Sequence, residues 1–121
     1  MYLLSIETNF SAAHQIKGHE GSCKRLHGHN WKVQVEVGSE QLNEIGIAID
    51  FQKLSDLTNR VLKKLDHQYI NQIPPFKEMN PTAENLACYI YEQIAYKLPK
   101  GIKIKQVSLW EGEKYCVRYS K

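Results

Sequence analysis

Apolar and polar side chains alternate from the start of the chain: Leu4, Ile6, Thr8, Phe10 and Ala12 fall on even positions, and Ser5, Glu7, Asn9 and Ser11 lie between them. That period of two is the mark of a strand with one buried face, and it leaves His14 on the apolar side. A loop containing Gly and Lys, from Lys17 to Arg25, leads to a second alternation in which Trp31, Val33, Val35 and Val37 are separated by Lys32, Gln34 and Glu36. After a turn near residues 39–46 the period changes. Phe51, Leu54, Leu57, Val61, Leu62 and Leu65 fall on one helical stripe, Asp50 is placed to cap that helix, and its end is expected around Asp66 and His67. Pro74, Pro75 and Pro81 favour an irregular connection. A second helix then starts at Asn80 or Thr82, with Ala83, Leu86, Ala87, Ile90, Ile94 and Leu98 as its buried stripe. Pro99 and Gly101 stop it, and residues 102–111 and 114–119 read as two strands joined across Gly112-Glu113.

The predicted order is ββααββ. Strands at both ends of a helix pair point to an α+β domain, a four-stranded antiparallel sheet with both helices on one face. Its other face and two edges stay open, so assembly into a closed barrel is expected. The 121 residues, 42% hydrophobic and 24% charged, suit a single domain over 1–121.

Composition narrows function mainly by exclusion. A net charge of +3, spread evenly, does not suggest a nucleic-acid-binding surface and is compatible with an anionic small substrate. No stretch approaches membrane-spanning length, and the first ten residues lack a basic start and an unbroken apolar run, so a cytoplasmic protein is expected. Cys23, Cys88 and Cys116 form neither a disulfide framework nor a zinc knuckle.

The candidate chemistry gathers at one end of the first hairpin. His27 and His29, two apart in an extended segment, project the same way, and antiparallel pairing brings His14 to them. Three imidazole nitrogens with an open position describe a catalytic metal site, for which zinc fits best and iron or nickel are alternatives. The competing reading is three ordinary histidines, since His-x-His alone is a weak signal. Cys23 lies four residues before His27, where Lys24, Arg25 and a metal would favour its thiolate; Cys88 and Cys116 read as structural. Asp66-His67 pairs a carboxylate with an imidazole, suited to proton transfer, or else is ordinary helix-end chemistry. Glu111 shares parity with Val107 and Leu109, so a carboxylate stands where an apolar side chain is expected; it suits adjacent ring N–H donors, or is an exposed strand end.

Five segments in this order resemble one family: Phe10-Ser11-Ala12-Ala13-His14, Cys23-x-x-x-His27-Gly28-His29-Asn30, Leu65-Asp66-His67, Asn80-Pro81-Thr82-Ala83-Glu84-Asn85 and Trp110-Glu111. Together they span nearly the whole chain and are similar to the 6-pyruvoyl-tetrahydropterin synthase family. The resemblance implies the tunnelling fold (T-fold), a hexamer built as a dimer of trimers, and active sites at subunit interfaces. It implies Zn2+ on His14, His27 and His29, Cys23 as base, Asp66 and His67 as its relay, and Glu111 as anchor of the pterin ring, with Thr82 and Glu84 also lining the site. The implied substrate is 7,8-dihydroneopterin triphosphate. The interval between Cys23 and His27 looks like the branch that makes 6-carboxy-tetrahydropterin and releases acetaldehyde and triphosphate, on the way to queuosine and other 7-deazapurines. The pyruvoyl-forming branch and a non-catalytic pterin- or metal-binding module are the alternatives. A glutamate-based branch performs retro-aldol cleavage; Cys23 argues against it, although Glu20 is nearby.

Overall fold

The computed structural model of the protein describes residues 1–19, 21 and 24–121. Strand β1 (Tyr2–His14) pairs antiparallel with β2 (His27–Ser39), from Tyr2↔Ser39 to His14↔His27. The chain then forms α1 (Phe51–Leu62), a short 3-10 turn (Ile70–Gln72) and α2 (Ala83–Lys97), before returning as β3 (Lys103–Glu111) and β4 (Tyr115–Tyr119). Among the described residues the sheet has four strands in the order β1-β2-β3-β4, all antiparallel. The expected α+β order and the alternation of both N-terminal strands are therefore present.

One face of the sheet makes the core. Phe10, Trp31, Val33, Val35, Val107 and Leu109 are buried there together with Leu54, Val61, Leu86, Ile90 and Ile94 of the two helices. Each such aliphatic side chain contributes roughly 1.5–3 kcal/mol by leaving water. Lys32, on the opposite face, is exposed, and its ammonium lies 4.2 Å from the Trp110 ring centroid.

Both helix starts use side-chain caps. Asp50 accepts from Gln52 N–H at 2.7 Å, and Thr82 Oγ1 accepts from Asn85 N–H at 3.1 Å. Each cap satisfies an N–H that the first helical turn leaves without a partner.

Two expectations need correction. Phe51 is exposed: it occupies the first helical position, beyond the reach of the core, and lines a shallow apolar groove with Met1, Leu4, Leu42 and Ile49. Helix α1 also ends at Leu62 rather than near Asp66 and His67. Tight turns carry the chain onward, with Leu65 N–H bonding Leu62 O, until His67 takes a left-handed φ of 59° and gives its N–H to Ser11 O. The β1 edge thus captures the segment after α1: Ala13 N–H also bonds Gln68 O, and Ala13 bridges to Tyr69.

Candidate metal centre

The β1–β2 register sets the site. His14 and His27 are opposite one another at the last pair of the hairpin, and His29 faces Ala12. All three lie on the Trp31 face, and the register Trp31↔Glu111 brings Glu111 to the same place from β3. One ligand-capable atom from each of His14, His27, His29 and Glu111 lies within 4.8 Å of the others. Among the described residues this is the group able to hold a metal ion. The sequence singled out the three histidines as ligands and assigned Glu111 a different task; the structure places its carboxylate among the imidazoles.

Hydrogen bonding determines which imidazole nitrogens are free. His14 Nδ1 is 2.7 Å from Pro81 O, and His27 Nδ1 is 2.7 Å from Arg25 O. A carbonyl oxygen only accepts, so both Nδ1 atoms carry the proton and, in the neutral rings, both Nε2 atoms expose lone pairs. Those two Nε2 atoms face each other at 3.0 Å. His29 Nε2 is buried and makes no hydrogen bond, because its 2.7 Å approach to Glu111 Oε1 lacks hydrogen-bond geometry. Glu111 Oε1 is also 3.4 Å from His14 Nε2.

Two acceptors pointed at each other beside an unsatisfied nitrogen and a carboxylate need a positive charge between them. A proton is a poor source. Burial pushes both His14 and His29 below the ordinary histidine value, an effect that outweighs the opposing pull of Glu111. A divalent cation satisfies all four groups at once, and imidazole nitrogens with a carboxylate oxygen are donors that zinc accepts. The carbonyl contacts behind His14 and His27 are the outer support that orients metal-binding imidazoles. The residues present therefore fit a metal ion.

The other sequence-predicted residues are placed as follows. Asp66 Oδ1 accepts from Ser11 N–H at 2.9 Å and lies 3.0 Å from His67 Nδ1. The Ser11 N–H, followed by His67, holds the Asp66 carboxyl below its usual value. This pair is outside the metal-capable group, but His67 and His29 line one cavity of about 540 Å³. A second cavity, about 660 Å³, borders His29 from the open face of the sheet, with Asn30, Lys32 and Trp110 in its wall. Both volumes fall within the range usual for small-molecule sites. Thr82 spends its hydroxyl on the α2 cap, and Glu84 is exposed in the first turn of α2. Neither lines these two cavities. Cys23, the predicted base, lies outside the described residues, as does Glu20.

The carbonyls of Pro81 and Arg25 were not foreseen. Main-chain acceptors leave no trace in residue type, although Pro81 sits inside one of the segments that carried the family resemblance.

Comparison with known proteins places the chain among pterin enzymes. The sequence profile described as 6-pyruvoyl tetrahydropterin synthase matches residues 3–121. The chain is 40% identical to the dihydroneopterin monophosphate aldolase of Pyrococcus furiosus, over 90% of this chain and 89% of that protein. It is 36% identical to the 6-carboxy-5,6,7,8-tetrahydropterin synthase of a Synechocystis species, over 78% and 75%. The solved structure of Caenorhabditis elegans 6-pyruvoyl tetrahydropterin synthase superposes with a TM-score of 0.85 at 26% identity, covering 100% of this chain and 97% of that one. With the histidine centre at the hairpin end and the T-fold beneath it, the chain belongs to the 6-pyruvoyl tetrahydropterin synthase family and is an enzyme of that family.

Proposed function

We propose that the protein is a zinc-dependent 6-carboxy-tetrahydropterin synthase. The reaction takes 7,8-dihydroneopterin triphosphate and one water to 6-carboxy-5,6,7,8-tetrahydropterin, acetaldehyde and triphosphate, supplying queuosine and 7-deazapurine synthesis. The observation that carries this reading is the convergence of three imidazole Nε2 atoms, two with their Nδ1 protons held by main-chain carbonyls. Zinc, when bound there, supplies Lewis-acid polarisation of the substrate's side-chain oxygens and so acidifies the neighbouring C–H bond.

The remaining work falls to the protein's own side chains. Cys23 takes the side-chain proton as its thiolate, and Asp66 orients His67 to move protons to and from it. Triphosphate leaves with the electron pair of the C–O bond that breaks, and water enters as the bond between the first and second side-chain carbons breaks to release acetaldehyde. The dihydro ring is reduced to the tetrahydro level as the first side-chain carbon is oxidised to the carboxylate, so no external redox cofactor enters. Glu111, whose Oε1 faces the imidazoles, anchors the pterin ring by offering its other carboxylate oxygen to the ring N–H donors. Thr82 and Glu84, which line neither cavity of their own chain, serve a site built between subunits of a hexamer, a dimer of trimers in the cytoplasm. Support for assembly is the open β1 edge from Tyr2 to Phe10 and the short β4 edge.

A second reading is retro-aldol cleavage of dihydroneopterin monophosphate, favoured by the 40% identical aldolase relative. Mass spectrometry of the zinc-loaded protein with each substrate decides between them. A 6-carboxy product with acetaldehyde from the triphosphate is the expected result. A 6-hydroxymethyl pterin from the monophosphate, with the triphosphate untouched, would move the assignment to the aldolase. A 6-pyruvoyl product would move it to the sister synthase.

A further inference from the structure

Pairing between β1 and β2 stops at His14↔His27, and beyond the ligand the chain runs through Gln15 and Ile16 into a turn at Lys17 and Gly18. Two asparagine side chains replace the missing strand. Asn71 accepts from Gln15 N–H at 2.9 Å and donates to Gln15 O at 2.8 Å. Asn80 does the same to Lys17, at 2.9 and 2.8 Å. A carboxamide carries a donor and an acceptor side by side, so it reproduces what a neighbouring peptide offers in a ladder.

The two clamps differ in what stands next to them. Asn80 precedes Pro81, whose carbonyl accepts the hydrogen bond of His14 Nδ1–H, and Thr82, which caps α2. The Asn80 carbonyl accepts from Asn85 Nδ2 at 2.8 Å, tying it to the first turn of that helix. Asn80 therefore joins three things: the main chain leaving His14, the shelf that fixes the His14 ring, and the N-terminus of α2. Asn71 holds only the main chain and has no such link to the ring.

We infer that Asn80 is a positioning residue for the metal centre, locking the Pro81 carbonyl against His14 so that the buried imidazole presents Nε2 to the ion. This rests on the metal reading of the histidine cluster. It gives the Asn80-Pro81 pair a purpose separate from substrate contact.

The test is metal affinity, measured without substrate by competition of Zn2+ or Co2+ with a chromophoric chelator, for the full-length wild type, Asn80→Ala and Asn71→Ala. Each variant loses the same two clamp bonds, so similar falls in Tm are expected. Metal affinity should fall about tenfold or more for Asn80→Ala, as for other outer supports of histidine ligands, and less than threefold for Asn71→Ala. The visible spectrum of the Co2+ form should change only in the Asn80 variant. If Asn80→Ala does not fold, the isosteric Asn80→Asp, which keeps the acceptor and loses the donor, replaces it. Wild-type affinity in the Asn80 variant, or an equal loss in both, would overturn the inference. A wild type that binds no metal would instead overturn the metal reading itself.

Discussion

The middle of the β1–β2 hairpin and its histidine end lie on the same face of the same sheet, built on the same alternation, and are held by different forces. In the middle, Val33 and Val35 are completely buried within the apolar cluster of the core. At the end, His14 is just as inaccessible at 1%, but its stability depends on directional contacts: a carbonyl behind one nitrogen and a second imidazole in front of the other. Area burial is non-directional, whereas a ligand set requires directional geometry. The comparison shows how a fold can bury a polar group without closing it off from chemistry. The apolar part sets the register, and the register sets the site.

The largest effect that would break this comparison is loss of a ligand. His29→Ala removes a nitrogen that the apolar core does not need, and the structure around it is 26% exposed at that side chain. Metal content of the purified variant should fall from stoichiometric to residual and turnover by more than the about 10–100-fold that loss of an outer support costs, while circular dichroism retains the wild-type fold. A variant that keeps its metal would remove His29 from the ligand set.

The converse substitution belongs to the middle. Leu109→Ala, opposite Val33 on β3 and fully buried, should cost about 2–5 kcal/mol in denaturant unfolding. The fraction that remains folded should still bind metal stoichiometrically. Metal loss in proportion to lost stability would show that the two regions are not separable.

Acidification probes the same contrast more gently. His14 and His29 have values lowered from 6.5 by burial, so below about pH 6.5 the unfolded chain takes up protons that the folded chain resists. Stability of the metal-free protein should therefore decline as pH falls from 6.5 through the lowered folded values, and be unaffected by these groups above it. Substituting Gln for both histidines should flatten that slope. An unchanged slope would place the acid sensitivity elsewhere.

The contrast also explains what the sequence could disclose. Alternation along β1 and β2 and the stripes of α1 and α2 follow from nearest-neighbour geometry, so the elements and the three histidines were visible in residue type and spacing. Phe51 fits the α1 stripe by period, but periodicity does not say how far the core extends beneath a helix. The end of α1 at Leu62 was hidden for a related reason: the turns up to His67 are fixed by Ser11, on a strand far away in sequence. Glu111 was recognised as unusual, though its position among the imidazoles depends on the β2–β3 register. The carbonyl of Pro81, 67 positions from His14, is a main-chain atom that any residue would supply.

The pairing of His14 with His27 has a consequence for how the protein is made. A slip of one residue along the thirteen paired positions of the hairpin would turn one strand's ligands to the opposite face of the sheet. A metal ion gripped by both strands would thus bind only the correctly aligned chain. Metal loading would then favour the properly registered hairpin over its near misses.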